Sequence, residues 1–292
     1  MTKKLTVLIT GCSDGGLGSH LALQFQAAGW RVFATARNLS KLKEAKKSGL
    51  EILHLDTLSD DSIYKCVSEV SELTGGSLDA LVNNAGAGYS MPVMDIDIQK
   101  GRDLFELNVW SIISVSRAFL PLLMRSTREC GALLVNHGSL SGTIAATGPF
   151  AGVYNASKAA AASFTENLRL ELRPWNIRVI NLLTGAVRSN FHVNAPRPKL
   201  PPDSLFNIAK DIVEQAMDNS DDSGDTDPAT WAREIVQELS RRSPAYWIWR
   251  GRFSTLVRLG NILPLGFFDR IMKKMVGLDV IEQRVKPRRS TS

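Results

Sequence analysis

Cysteine is scarce in this chain. Cys12, Cys66 and Cys130 are the only three in 292 residues. An odd number at wide spacing supports neither a disulfide framework nor a cysteine metal site, and a reducing compartment is the simplest reading. Long apolar runs are missing as well. No uncharged apolar stretch reaches the roughly 18 residues that a membrane-spanning helix needs. The longest near the C-terminus, LGNILPLGFF at 259–268, is too short and contains a proline. The N-terminus, MTKKLTVLITG, runs straight into a strand pattern, with no separate apolar stretch and cleavage site to mark a secretory signal. No internal repeat is present. Charge of neither sign dominates: 35 Lys and Arg against 29 Asp and Glu leave a net +6. That permits attraction to phosphates or anionic membranes but requires neither. The basic residues surround no recognisable nucleic-acid motif, which argues against a nucleic-acid module.

Hydrophobic residues make up 44% of the chain, enough for a well-buried core and too many for a disordered protein. Six short runs read as strands: LTVLIT, RVFATA, EILHLD, ALVNNA, ALLVNH and IRVINLLT. Candidate helices lie between them at 17–29, 59–74, 98–125 and 153–173. The strand runs are almost wholly apolar rather than alternating, as expected when helices cover both faces of a sheet. Strands separated by helices imply right-handed βαβ units. The expected fold is therefore α/β, an open, doubly wound parallel sheet in a single domain with a C-terminal helical extension. Such sheets bind ligands at the carboxyl ends of their strands.

Residues 1–195 read as the dinucleotide-binding and catalytic core. Residues 196–244 read as a substrate lid, with a loop PRPKLPPDS, helices near 204–217 and 228–241, and an acidic loop DNSDDSGDTDP between them. Residues 245–280 form an apolar and basic C-terminal extension, and 281–292 a disordered tail.

The stretch TGCSDGGLG follows the first strand and opens a helix. Gly11, Gly15, Gly16 and Gly18 let the backbone turn tightly and approach a diphosphate, and the helix N-terminus beginning near Leu17 offers free N–H groups. The second strand ends at Ala36 and Arg37, where NAD-dependent enzymes usually carry a carboxylate for the ribose 2′-hydroxyl. A guanidinium instead pairs with a 2′-phosphate, and Ser13 could add a hydroxyl contact. The expected cofactor is NADP(H). Asp14 in the same loop argues the other way.

Tyr154 and Lys158 lie four residues apart and share one face of a helix. A nearby ammonium favours the phenolate and is expected to lower the tyrosine's ordinary pKa of about 10. Tyr154 could then protonate a carbonyl oxygen near neutral pH. His137 lies on a strand beside the candidate serines and reads as a core or pocket residue.

With LD at 55–56, NNAG at 83–86, LNVW at 107–110, VNHGSLSG at 135–142 and YNASK at 154–158, the chain resembles the short-chain dehydrogenase/reductases over roughly residues 5 to 190. The resemblance implies an NAD(P)-dependent oxidoreductase with a Rossmann-type fold, a doubly wound parallel sheet, that needs no metal. It would place Asp56 at the adenine ring and Asn83, Ala85 and Gly86 along the nucleotide, supporting the fourth strand. Asn108 would hold the water of a proton relay, Lys158 would bind the nicotinamide ribose, and Thr184, Val187 and Ser189 would lie at the carboxamide. The glycine loop has one residue more than usual, absorbed by taking Gly11, Gly16 and Gly18 as the motif glycines. Thr184 stands where the family carries a proline.

Two serines compete for the place beside Tyr154. The family's usual spacing of thirteen residues selects Ser141. The strand context, three residues beyond Asn136, selects Ser139. A catalytic hydroxyl needs a rigid support, and the following loop absorbs two extra residues at little cost, so Ser139 is favoured and Ser141 is assigned to the substrate pocket. Phe191, His192, Leu205 and Phe206 are further candidate wall residues.

The C-terminal pattern WRG…LP…FD…GLD is similar to that of fungal 1-acyldihydroxyacetone-phosphate reductases, and reductases that tailor secondary metabolites share the look. The implied function is NADPH-dependent reduction of a bulky or lipid-like ketone, either an acyl-dihydroxyacetone-phosphate-type lipid or a secondary-metabolite ketone. The alternative is an NADP(H)-binding homologue with a non-redox role in isomerisation, cyclisation or regulation. Between 250 and 276, Arg250, Arg252, Arg258, Arg270, Lys273 and Lys274 face a single acid, Asp269, with aromatic residues interleaved. That composition suits a surface lying on an anionic membrane, and equally a helix packed on the domain or on a partner subunit. The expected protein is cytoplasmic, with or without peripheral membrane contact through 245–280, and a homo-oligomer, dimer or tetramer.

Overall fold

The computed structural model describes residues 4–191, 197–218 and 224–289. Seven parallel strands form one sheet: β1 Thr6–Ile9, β2 Arg31–Ala36, β3 Glu51–His54, β4 Ala80–Asn83, β5 Ala132–His137, β6 Ile177–Thr184 and β7 Trp247–Arg250. Their order across the sheet is β3-β2-β1-β4-β5-β6-β7. The chain starts in the middle, runs outward to β3, then crosses back past β1 to β4. Neighbouring connections therefore diverge between β1 and β4, and a crevice opens there at the carboxyl ends of the strands.

The apolar runs are buried on both faces because helices cover both. Val7 and Ile9 face one layer, with Phe25 of α1 (Leu17–Ala27) and Trp231 and Ile235 of α8 (Pro228–Leu239). Leu8 faces the other, with Val70 of α3 (Asp60–Thr74) and Val115 and Phe119 of α5 (Ser111–Leu123). Side chains of successive strand residues point to opposite faces, so these two cores are built from alternate positions of the same strands. Some of the helices begin where side chains can replace missing backbone partners. Ser59 caps α3, Asp97 caps α4 (Ile98–Phe105) and Asp227 caps α8, each accepting an N–H of the first turn. The short α2 (Lys43–Lys47) and the long α6 (Gly152–Glu171) complete the nucleotide-binding part.

Each of the six runs read as strands forms one. β7 is an addition. Residues 247–250 were expected within a C-terminal extension, yet they pair with β6 from Asn181↔Trp247 to Thr184↔Arg250. WIWR is a four-residue edge strand with one fully buried side chain, Ile248, too short and too polar at its ends to stand out from its basic, aromatic surroundings. The segments after it are helical: α9 (Ser254–Gly260), α10 (Asp269–Met275) and α11 (Leu278–Arg289). The tail expected to be disordered from residue 281 is thus helical to Arg289, because Val276, Leu278 and Ile281 pack against Val213 and Met217 of α7 (Lys210–Asp218) and against Leu200. Of the acidic loop, residues 219–223 lie outside the described residues.

Candidate active site

The turn between β1 and α1 is closely packed. Gly11 has φ +69°, and a Cβ there would come within 2.9 Å of the Ala85 backbone. A Cβ on Gly18 would sit 2.5 Å from the Gly11 carbonyl oxygen and 2.4 Å from Asn84 Nδ2. Helix α1 opens at Gly16 with no side-chain cap and no acidic residue in its first turn, so its positive end is left to an anionic group. The cradle that Cβ atoms would fill and the uncapped helix end fit the diphosphate of a dinucleotide. Arg37 is exposed just beyond β2, with no ion pair among the described residues. Ser13 is half-buried in the same turn. Asp14 is otherwise engaged: its two carboxylate oxygens accept the Lys43 and Glu44 backbone N–H groups at 3.0 Å each and so cap α2. The one carboxylate that spoke against a 2′-phosphate is committed there.

Other residues of the expected nucleotide wall divide. Asp56 accepts the Leu58 N–H at 3.1 Å and shapes the turn after β3. Ala85 donates its backbone N–H to Thr10 Oγ1. Gly86 borders Asn108 and Lys158: a Cβ there would lie 3.1 Å from Asn108 Oδ1 and 3.6 Å from Lys158 Nζ. The Asn83 side chain does not line the nucleotide crevice. It is buried on the α5 side, donating to Ser116 Oγ and Asn136 Oδ1 at 2.9 Å each. Strand alternation turns it into the core, where its support of β4 lies. Its neighbour Asn84, which motif reading left without a role, holds the crevice instead. Its Nδ2 donates to the Thr10 and Gly11 carbonyls at 2.8 and 3.0 Å. Val187 packs its side chain against the α1–α8 core and Gly251, which leaves its main chain for a ligand. Ser189 Oγ accepts the Phe191 N–H.

Ser139, Tyr154, Lys158 and Asn108 come together at the carboxyl ends of β4 and β5. Ser139 follows β5 in extended backbone, and its Oγ accepts the Ser141 N–H at 3.1 Å. The Ser139 hydroxyl also lies close enough to the Tyr154 phenol to lower its pKa. Ser139, the residue that the strand context selects, is thus the serine whose hydroxyl influences the tyrosine. Ser141 serves Ser139 through its backbone. Asn108 lies in a one-turn π-helix, Glu106–Trp110, between α4 and α5, an arrangement often found at functional sites. Its side chain is fully buried. Oδ1 accepts the Ala87 N–H at 3.0 Å, while Nδ2 donates to the Ala87 carbonyl at 2.9 Å and Ser157 Oγ at 3.1 Å.

Lys158 Nζ donates to the His137 carbonyl at 2.9 Å and stands 5.9 Å from the centre of the Tyr154 ring. Burial brings its pKa down to about 8. The expected lowering at Tyr154 is reversed: burial of the phenol raises its pKa, and the Ser139 hydroxyl only partly offsets this. Desolvation disfavours the phenolate more than the surroundings favour it, and among the described residues the Lys158 hydrogen bond goes to the His137 carbonyl, not to the tyrosine. Burial also pushes the thiols of Cys12 and Cys66 up to about 12, which keeps both protonated and unreactive.

Of the candidate wall residues, Phe191 meets the site. Its ring lies 5.9 Å from that of Tyr154 and close against Gly88. Leu205 does not: it is 83% exposed, at the start of a 3₁₀ turn whose next residue, Phe206, packs edge-on against Phe150. The helical period turns one of two adjacent apolar residues inward and the other out. His192 lies outside the described residues.

The sequence profile of the family described as short chain dehydrogenase matches residues 5–199. The chain is 47% identical over 290 residues to short-chain dehydrogenase/reductase GME11361 of Pestalotiopsis microspora, covering 98% of this chain and 99% of that one. It is 33% identical over 287 residues to the NADPH-dependent 1-acyldihydroxyacetone phosphate reductase of Schizosaccharomyces pombe, covering 93% and 94% of the two chains. In fold it is similar to a crystal structure of a short-chain dehydrogenase from Streptomyces avermitilis, with a TM-score of 0.76 and 24% identity over 97% of this chain and 98% of the other. A parallel sheet with its crevice between β1 and β4, a glycine turn entering α1, and a Tyr-Lys pair on α6 agree with these likenesses: the chain belongs to the short-chain dehydrogenase/reductase family of oxidoreductases.

Proposed function

We propose that this protein is an NADPH-dependent ketone reductase in which Ser139, Tyr154, Lys158 and Asn108 form the catalytic group. The placement of the Tyr154 ring 5.9 Å from the buried Lys158 ammonium, with the Ser139 hydroxyl close enough to the phenol to lower its pKa, carries the proposal. NADPH, when bound, supplies the hydride that converts a ketone to a secondary alcohol. The chain's residues handle the oxygen and its proton. Ser139 and Tyr154 offer two hydroxyls to the carbonyl oxygen from rigid supports, the end of β5 and the first turn of α6. Preorganised donors of this kind stabilise the charge that grows on the oxygen. Tyr154 gives its proton to that oxygen. Its raised pKa keeps it protonated and so ready to act as the acid. Lys158 stands behind it as the next proton donor. The Asn108 side chain is held by Ala87 and Ser157, so the water of the relay falls to its main chain. Arg37 and Ser13 are the residues for a 2′-phosphate, and the relative from S. pombe is named NADPH-dependent.

The preferred substrate is a lipid-like ketone, and the C-terminal surface favours it. Ile262 is 83% and Leu265 89% exposed, and Leu259, Phe267, Ile271 and Met275 are also in solvent. Arg250 and Arg252 pair with Glu234 and Asp225, and Lys273 with Glu282. Arg258, Arg270 and Lys274 are exposed and make no ion pair among the described residues. This face adjoins the site, because α9 and α10 border Ala145 and Gly148 in the loop that follows Ser139 and Ser141. Apolar side chains ringed by free bases suit an anionic lipid surface, whereas two copies packed symmetrically on this face would set like charges together. Self-association fits better on α5 and α6, where Trp110 and Phe164 form an exposed aromatic pair. No helix among the described residues is long and apolar enough to cross a membrane.

The test is NADPH oxidation by the purified protein against a ketone panel, with NADH in parallel. A long-chain acyl-dihydroxyacetone phosphate should be turned over, at least about tenfold faster with NADPH than with NADH, a difference of about 1.4 kcal/mol. Turnover should be faster in vesicles containing phosphatidylserine than in phosphatidylcholine alone. Turnover of cyclic or polyketide-like ketones only would make the enzyme a tailoring reductase. NADPH binding without any turnover would bring the non-redox alternative forward.

A further inference from the structure

Two residues at adjacent strand ends touch each other across the crevice floor. His137 closes β5 and Thr184 closes β6. His137 Nε2 lies 2.7 Å from Thr184 Oγ1, and its Nδ1 lies 2.8 Å from Asn84 Oδ1. The imidazole is stacked on the Trp231 indole, with centroids 5.4 Å apart and planes 20° from parallel. Asn84 continues the chain to the glycine turn, through Nδ2 to the Thr10 and Gly11 carbonyls.

The direction of every proton in this chain follows from its two ends. Asn84 must present its amide nitrogen to two carbonyls, so its oxygen faces His137 and only accepts. His137 Nδ1 therefore carries the hydrogen. A neutral imidazole has one N–H, so Nε2 accepts, and the Thr184 hydroxyl donates to it. Burial keeps the ring neutral, bringing its pKa down to about 3. A proline at 184 has no donor and would leave Nε2 buried without a partner, so His137 and Thr184 are a matched pair. The His137 carbonyl also receives the Lys158 ammonium.

The geometry points to His137 as a positioning residue that, as its Nδ1–H tautomer, ties the end of β6 to the turn after β1 and so fixes the spacing of the two crevice walls between which the dinucleotide binds. This rests on the NADPH-binding reading above. One side chain links the glycine turn, β4, β5 and β6, while its main chain sets the position of Lys158. Residues 185–189, which lead from Thr184 along the crevice, inherit their placement from that link.

Two measurements test it. The first is the imidazole ¹⁵N spectrum of the intact protein at neutral pH, with the His137 signals assigned by their loss in His137→Gln. Nδ1 is expected to be protonated and Nε2 not; an Nε2–H tautomer overturns the assignment. The second is NADPH affinity, read by nucleotide fluorescence, in Thr184→Val, Thr184→Ser, Asn84→Ala and Asn84→Ala/Thr184→Val. Thr184→Val is expected to weaken NADPH binding about tenfold, as for one buried hydrogen bond lost, with KM for NADPH rising far more than kcat falls. Thr184→Ser should restore most of the affinity. The double variant should lose little more than the worse single variant, although Asn84 and Thr184 share no hydrogen bond, because both cut the same chain. Wild-type affinity in Thr184→Val, or fully additive losses in the double variant, overturns the proposal. If Thr184→Val fails to fold, the wild-type tautomer and the Thr184→Ser affinity still decide it. A wild-type protein that does not bind NADPH would refute the cofactor reading instead, and the spectrum would stand apart from that result.

Discussion

Tyr154→Phe is expected to lower ketone reduction by about 10³-fold, within the 10²–10⁴ range that a positioned proton donor contributes, while NADPH still binds. The substitution removes one hydroxyl and keeps the ring that packs 5.9 Å from Phe191, so the walls of the site keep their shape. What disappears is the proposed acid, the phenol beside the Ser139 hydroxyl. Burial raises the tyrosine's pKa, so the group arrives at the reaction as a phenol and not as a phenolate. Its work is to give a proton, and water reaching a buried oxygen replaces it poorly. Steady-state NADPH oxidation and a fluorescence titration of NADPH, run on the same preparation, separate the two effects. Survival of most of the activity would refute the role given to Tyr154.

The second large effect separates the two serines. Ser139→Ala should reduce kcat by about 10²-fold, as expected for one lost donor to a developing oxyanion, with KM changing much less. Ser141→Ala should change kcat by less than about threefold, because Ser141 meets Ser139 with its backbone N–H, which the substitution keeps. The reverse order would mean that the family's usual spacing, not the strand end, fixes the catalytic hydroxyl. Circular dichroism and melting curves of both variants exclude a folding defect as the cause.

Much of the fold was legible because parallel sheets covered on both faces write continuous apolar runs. RVFATA, ALLVNH and IRVINLLT are buried nearly throughout, and nothing but such a sheet needs them in that alternation with helices. WIWR escaped notice because an edge strand is covered on one side only, and its Trp and Arg side chains stay half-exposed. The tail beyond 281 reads as disordered because chain ends commonly are. Its helix is held by contacts with α7 and Leu200 from far along the chain, which no local pattern carries.

The site divides in the same way. The Tyr154–Lys158 spacing correctly put both side chains on one face of α6. It could not show that Lys158 reaches the His137 carbonyl, nor that burial raises the tyrosine's pKa. Strand context points to Ser139 because it encodes where a rigid element ends, and the two serine variants test that choice. Asn83 was assigned to the crevice on motif position, and strand alternation sends its side chain into the core instead. The link from Asn84 through His137 to Thr184 joins three strand ends separated by about fifty residues each in sequence. It becomes visible only when the strand order β4-β5-β6 is known.

The measurement closest to the central claim follows an isotope. NADPH carrying deuterium at the transferable position of the nicotinamide is incubated with the protein and whichever ketone of the panel is turned over, and the alcohol is analysed by mass spectrometry and NMR. One deuterium on the new carbinol carbon, with about a thousandfold less of that alcohol formed by Tyr154→Phe at equal times, is the result this account predicts. Alcohol formed without deuterium at that carbon, or consumption of the ketone with no alcohol at all, would contradict it.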